Sequence, residues 1–126
     1  MLDEEKSYQQ YGFEKLEVYQ LSEELIIKIY NLTKKFPKEE QFGLISQLRR
    51  ASVSVALNIA EGSVERSDKE FIRFINTAIG SLIETKSALR ISAKLDIIKE
   101  SYLEEILPFI DKIFFKTLAL KKSLNK

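Results

Sequence analysis

Residues 48–62 read LRRASVSVALNIAEG, and on a helix turning ~100° per residue this stretch is apolar almost all the way round. Ile45, Leu48, Val55 and Ile59 fall in one sector, while Val53, Ala56, Leu57 and Ala60 cover much of the opposite side. Gln47, Arg50, Ser54, Asn58 and Glu61 share a narrow polar arc, with Arg49 standing alone among small side chains. A helix with so little polar surface is buried on more than one side. Other helices must therefore flank it.

Upstream, residues 1–12 are polar and acidic without a sustained period and predict a flexible arm, followed by one folded domain over 13–126. Between Glu14 and Lys35 the series Val18, Leu21, Leu25, Ile29, Leu32 steps by three or four and extends to Phe36, which predicts a first helix. Pro37 ends it, because the residue before a proline is pushed out of the helical region. A second helix is expected from Lys38 through Phe42, Ile45 and Leu48 to Gly62 or Val64, with Gly62 as a candidate C-cap. Downstream, Ser67–Glu70 and Ser101–Glu104 each spell Ser-x-x-Glu, the capping-box spacing that opens a helix. The third helix then spans Asp68 to about Leu95, thinned at Thr77, Ala78, Gly80 and Ser81, where a neighbouring backbone is expected to approach closely. The fourth carries Leu103, Ile106, Leu107, Ile110, Ile113, Phe114 and Leu118; Pro108 should kink or delay it, and Lys121–Lys126 should fray. Four long helices with short connections predict an all-α, antiparallel up-down-up-down four-helix bundle.

The chain has 126 residues, 44% hydrophobic and 31% charged, a size and balance suited to one ordinary core. No apolar run approaches the ~20 residues that span a bilayer, and the N-terminus lacks a signal-peptide pattern, so no membrane partner and a cytoplasmic location are expected. There is no Cys and no His. The missing histidine removes the commonest acid–base group and metal ligand, together with the Glu-x-x-His pairs of bundle di-metal sites. The four glycines are scattered and form no phosphate loop. The expectation is no enzyme, no metal and no cofactor.

The net charge of +1 conceals segregation. Residues 1–27 hold seven acids and two bases, residues 28–50 two acids and six bases, and residues 112–126 five lysines without an acid. Lys34, Lys35, Lys38, Arg49, Arg50, Lys116, Lys121 and Lys122 are accordingly candidates for contacting nucleic acid. Solvated helix ends would also account for such patches. Gln47, Arg50, Asn58, Glu61, Arg66 and Glu84 are candidates for a structural polar network, with Glu61 and Glu84 paired to an arginine such as Arg50, Arg66 or Arg73. Arg49 could snorkel along its apolar neighbours, meet an acid of another chain, or present its guanidinium to phosphate.

The segment FEKLEVY, followed by IYNLTKKFPKEEQFGLISQLRRASVSVALNIAEGSVERSDKEFIRFINTAIGSLIE, resembles the bacterial four-helix-bundle proteins encoded by intervening sequences within 23S ribosomal RNA genes. Phe36-Pro37, Phe42-Gly43-Leu44, Arg49-Arg50-Ala51, Asn58-Ile59-Ala60-Glu61-Gly62 and Gly80-Ser81 carry the resemblance across Phe13 to Leu95; Ser52, Val53, Thr85 and Pro108 depart from the pattern. The resemblance implies an all-helical protomer, a homopentameric ring and no enzymatic activity. The accessory variability protein of diversity-generating retroelements is distantly similar, a pentameric bundle that binds nucleic acid and a reverse transcriptase. A ring would also give a use to apolar groups beyond the core stripes. Tyr19, Ile26, Tyr30, Ala56, Ala60, Ile72, Ile79 and Ile83 are the interface candidates. The expected role is association with RNA or another nucleic acid, and the alternative is a protein-interaction scaffold or adaptor.

Overall fold

The computed structural model describes residues 12–125, apart from the side chains of Glu14 and Lys15. Most of the arm expected over 1–12 lies outside the described residues. These contain four α-helices and no strand: α1 (Glu17–Thr33), α2 (Leu44–Ser63), α3 (Asp68–Lys94) and α4 (Glu100–Leu124). Short 3-10 turns occupy Gly12–Lys15 and Lys38–Glu40.

The helices meet in one core, to which α1 gives Val18, Leu21, Leu25 and Ile29, α2 Leu48, Val55 and Ile59, α3 Ala78, Leu82 and Leu89, and α4 Leu103, Ile106, Ile110 and Ile113. Successive members of each set lie three, four or seven residues apart, all spacings of one helical face, so burying these side chains favours helix throughout. Small hydroxyl residues share the interior because their polar group is satisfied locally. Ser22, Thr33, Thr85, Ser92 and Thr117 each donate to the carbonyl four residues earlier, at 2.6–2.8 Å.

Helix α2 lies against both α1 and α3. Gln47 bonds Glu84 and Ser54 bonds Ser81, so higher numbers on α2 meet lower numbers on α3 and the two run in opposite directions. Gly62 continues this register. It is buried inside α2 rather than capping it, and a Cβ there would lie 2.7 Å from Phe74 Cβ. The close approach expected at Gly80 is therefore found at Gly62, while Gly80 faces open space. The crossing point of the two helices decides this.

The second helix begins six residues later than expected. Gly43, a poor helix former, stands at its N-cap position, and the Glu40 carboxylate from the preceding turn accepts the Leu44 N–H at 3.1 Å. This detour turns Phe42 outward, 91% exposed, instead of into the core stripe. At Ser67 the expected cap forms, accepting from Glu70 N at 3.2 Å. The Glu70 carboxylate does not reach back to complete the box but takes Arg73 at 2.9 Å. Ser101–Glu104 makes no cap: α4 starts at Glu100 behind an extended Lys99, which leaves Ser101 inside the helix. Helix α4 runs through Pro108 and on to Leu124, past the point where fraying was expected.

Helix α3 ends with Asp96 in the left-handed region at φ 60°. Asp96 N–H bonds Ala93 O and Ile97 N–H bonds Ser92 O, the paired closure of a Schellman motif with aspartate in the position glycine usually takes.

Candidate nucleic-acid interface

The last turn of α1 and the first half of α2 together position Arg49. Its Nε donates to Thr33 Oγ1 at 2.9 Å, and its guanidinium lies 4.4 Å from the Tyr30 ring centroid. Thr33 Oγ1 in turn donates to Ile29 O, so the threonine orients its lone pairs toward the arginine. A cation over an aromatic face is stabilised by the ring quadrupole. Arg49 is thereby held half-buried, with its terminal nitrogens unbonded among the described residues.

Beside it runs an open cleft of about 450 Å³, lined by Tyr30, Arg49, Arg50 and Val53 and, further along α2, by Ser54, Leu57, Asn58 and Glu61. Its floor is rigid. The Asn58 amide donates to Ser54 O at 2.8 Å and to Ser54 Oγ at 3.0 Å, and Ser54 Oγ lies 2.8 Å from Ser81 Oγ. Gln47 adds a second tie to α3 through Glu84 Oε2 at 2.8 Å.

The expected polar network is thus formed in part. Gln47, Asn58 and Glu84 join α2 to α3, whereas Arg50, Glu61 and Arg66 have no hydrogen bond or ion pair among the described residues. Glu84 is satisfied by an amide and Arg73 by Glu70, so neither acid singled out in the sequence takes an arginine.

The expected basic residues fall into two groups. Lys34, Lys35 and Lys38 are exposed where α1 hands over to α2, although Lys35 lines clefts on the α4 side with Tyr102 and Glu105. Lys116 pairs with Glu17 at 3.1 Å, which ties the late part of α4 to the start of α1. Thr33, beside Arg49, is sixteen residues further along that helix, or about 24 Å at ~1.5 Å per residue. Lys116, Lys121 and Lys122 therefore belong to the other end of the molecule.

Among the interface candidates, Ala56 is only 4% exposed within a single chain and retains almost no surface for a second copy. Tyr19, Ile26, Ala60, Ile72 and Ile79 are half-buried; Tyr19 meets Phe13 edge-on. Tyr30 is 36% exposed and Ile83 55%. Sequence periodicity did not single out Ile27, 61% exposed, or Phe42, 91% exposed, as surface groups. Phe115, off the main stripe of α4, is 65% exposed.

Burial raises the pKa of Tyr102, and the neighbouring Glu105 carboxylate adds to the rise. No three His, Cys, Asp or Glu side chains converge in a way that could hold a metal among the described residues. No described helix is long and apolar enough to cross a membrane.

One family model, that of the 23S rRNA-intervening sequence protein, matches residues 14–117. No curated protein matches the chain. Among solved structures, a Bacteroides thetaiotaomicron protein of unknown function from the S23 ribosomal protein family is similar at 25% identity and a TM-score of 0.77. The match covers 83% of this chain and 98% of that one.

Proposed function

The chain belongs to the 23S rRNA-intervening sequence protein family, and from that premise we propose that it is a non-enzymatic homo-oligomer that associates with RNA or another nucleic acid. The observation carrying this reading is Arg49, a guanidinium fixed by Thr33 and Tyr30 beside the unpaired Arg50 in an open cleft. An arginine held in advance loses less rotamer freedom when it meets a phosphate, and its fork matches phosphate oxygens. Lys34 and Lys38, exposed at the same end of α1, extend the positive surface, and the C-terminal lysines form a separate one.

In this reading the protomer is an up-down-up-down bundle that works in the cytoplasm and assembles as a pentameric ring. The exposed Ile83, on α3 and outside the Arg49 cleft, supports assembly. A ring repeats each weak basic cluster around an axis, where several contacts on one polymer reinforce one another.

Fluorescence anisotropy with a structured RNA tests the proposal. Affinity should fall at least tenfold between about 50 and about 200 mM salt, as release of counterions from neutralised phosphates requires. Absence of binding at the lower salt, or a flat response, overturns it. The exposed Phe42 and Phe115 favour a second reading, a scaffold for a protein such as a reverse transcriptase. Specific recovery of a protein partner that survives nuclease treatment would select it.

A further inference from the structure

Two features on different parts of the chain lack a partner and complement each other. Phe42 projects from the turn before α2 with 91% of its surface exposed, although a Phe side chain buries ~150–250 Å² when it finds a site. Between α3 and α4 lies an apolar groove of about 370 Å³, walled by Leu82, Ile83, Ile110, Phe114 and Phe115. Phe114 and Phe115 stand edge to face at 84° with centroids 5.4 Å apart, and a third aromatic ring can extend such a cluster in the same geometry. At the rim, Lys86 pairs with Asp111 at 3.0 Å while both remain partly exposed.

We propose that Phe42 of one copy seats in the α3–α4 groove of the next, as the anchor of a head-to-tail contact between copies of this chain. The inference deepens the self-association proposed above and rests on it. Phe42 stands clear of its own groove, so the groove's aromatic guest comes from a second molecule. The anchor turn also carries Lys38 and exposed Glu39, which offer each member of the Lys86–Asp111 pair an opposite charge. A knob and a groove on different surfaces make a heterologous contact, which generates a ring where the rotation between copies closes and a filament where it does not. One Phe covers far less than the ~800 Å² per partner of a stable interface. The exposed Ile83 and Phe115 must therefore be covered together with it, and every copy in a ring buries surface twice, once at its knob and once at its groove.

The test uses two variants that alter exposed positions, Phe42→Ala and Ile83→Glu, with circular dichroism to verify helix content and light scattering to read mass. Native protein should give a multiple of the 14.6 kDa chain. Each variant alone should need at least about thirty-fold more protein to assemble, the loss typical of an anchor residue. Mixed in equal amounts they should form a two-chain species, because one intact knob and one intact groove remain. Normal assembly of Phe42→Ala, or no pairing in the mixture, overturns the seating of Phe42 while leaving self-association intact; a monomeric native chain overturns both. If Phe42→Ala assembles normally but loses RNA affinity, Phe42 serves the nucleic acid and the contact is refuted.

Discussion

Substituting alanine at two glycines should move stability in opposite directions. At Gly62 the new Cβ would sit 2.7 Å from Phe74 Cβ and 2.8 Å from Phe71 Cδ1, where carbon atoms normally rest ~3.5–4.0 Å apart. Phe71 can turn its ring, but Phe74 Cβ is bonded directly to the backbone and cannot rotate away. Relief requires α2 and α3 to separate locally by about 1 Å. Overpacking of this kind costs about 1–3 kcal/mol, against a helix-propensity gain of up to about 1 kcal/mol that is reduced by the position near the end of α2. A net loss of about 1–2 kcal/mol is expected for Gly62→Ala. Gly80 has nothing within 4 Å of its virtual Cβ and lies inside α3, so Gly80→Ala should gain about 0.5–1 kcal/mol. Urea unfolding followed by far-UV circular dichroism, at one fixed protein concentration because assembly shifts the midpoint, resolves the two signs. A Gly62→Ala protein as stable as the native chain would refute the close crossing of α2 and α3.

Asp96 holds a left-handed conformation at φ 60°, which costs a residue with a side chain about 1 kcal/mol or more. Asp96→Gly should therefore raise the unfolding midpoint, and a fall would mean that the aspartate side chain contributes more than its backbone costs. The raised pKa of Tyr102 implies an alkaline sensitivity. The native state keeps the phenol proton where the unfolded chain has lost it, so this stabilisation is complete below the ordinary tyrosine value of ~10 and disappears as pH rises through the higher folded one. Stability measured from pH 9 to 11 should decline less steeply in Tyr102→Phe than in the native protein, and parallel curves would contradict the assigned burial.

Whatever depends on period and local chemistry was legible in the sequence: the four helices and the cap at Ser67, although α1 stops at Thr33, ahead of the end expected at Phe36-Pro37. What depends on where two helices cross was not. The pattern offers Gly62 as a C-cap and the Gly80 region as the close-approach site, and only the register of α2 on α3 moves the close approach to Gly62. Of the two Ser-x-x-Glu stretches that read as helix starts, only Ser67–Glu70 caps, because Lys99 is already extended and draws Ser101 into α4. Phe42 fits the apolar stripe of an unbroken second helix. The Glu40–Leu44 bond beside Gly43 starts the helix late and moves the side chain out. At the candidate site, the special place of Arg49 among small residues was visible in the pattern, but its partners Tyr30 and Thr33 come from another helix and no spacing rule joins them.

The salt dependence of RNA binding, compared between the native chain and Arg50→Ala, tests the role of the cleft most directly. Arg50 makes no bond among the described residues, so its loss should leave helix content and mass unchanged. The slope of log affinity against log salt should shrink by about 1, or by more when several copies contact one RNA. A slope equal to that of the native protein would contradict phosphate binding in the Arg49–Arg50 cleft.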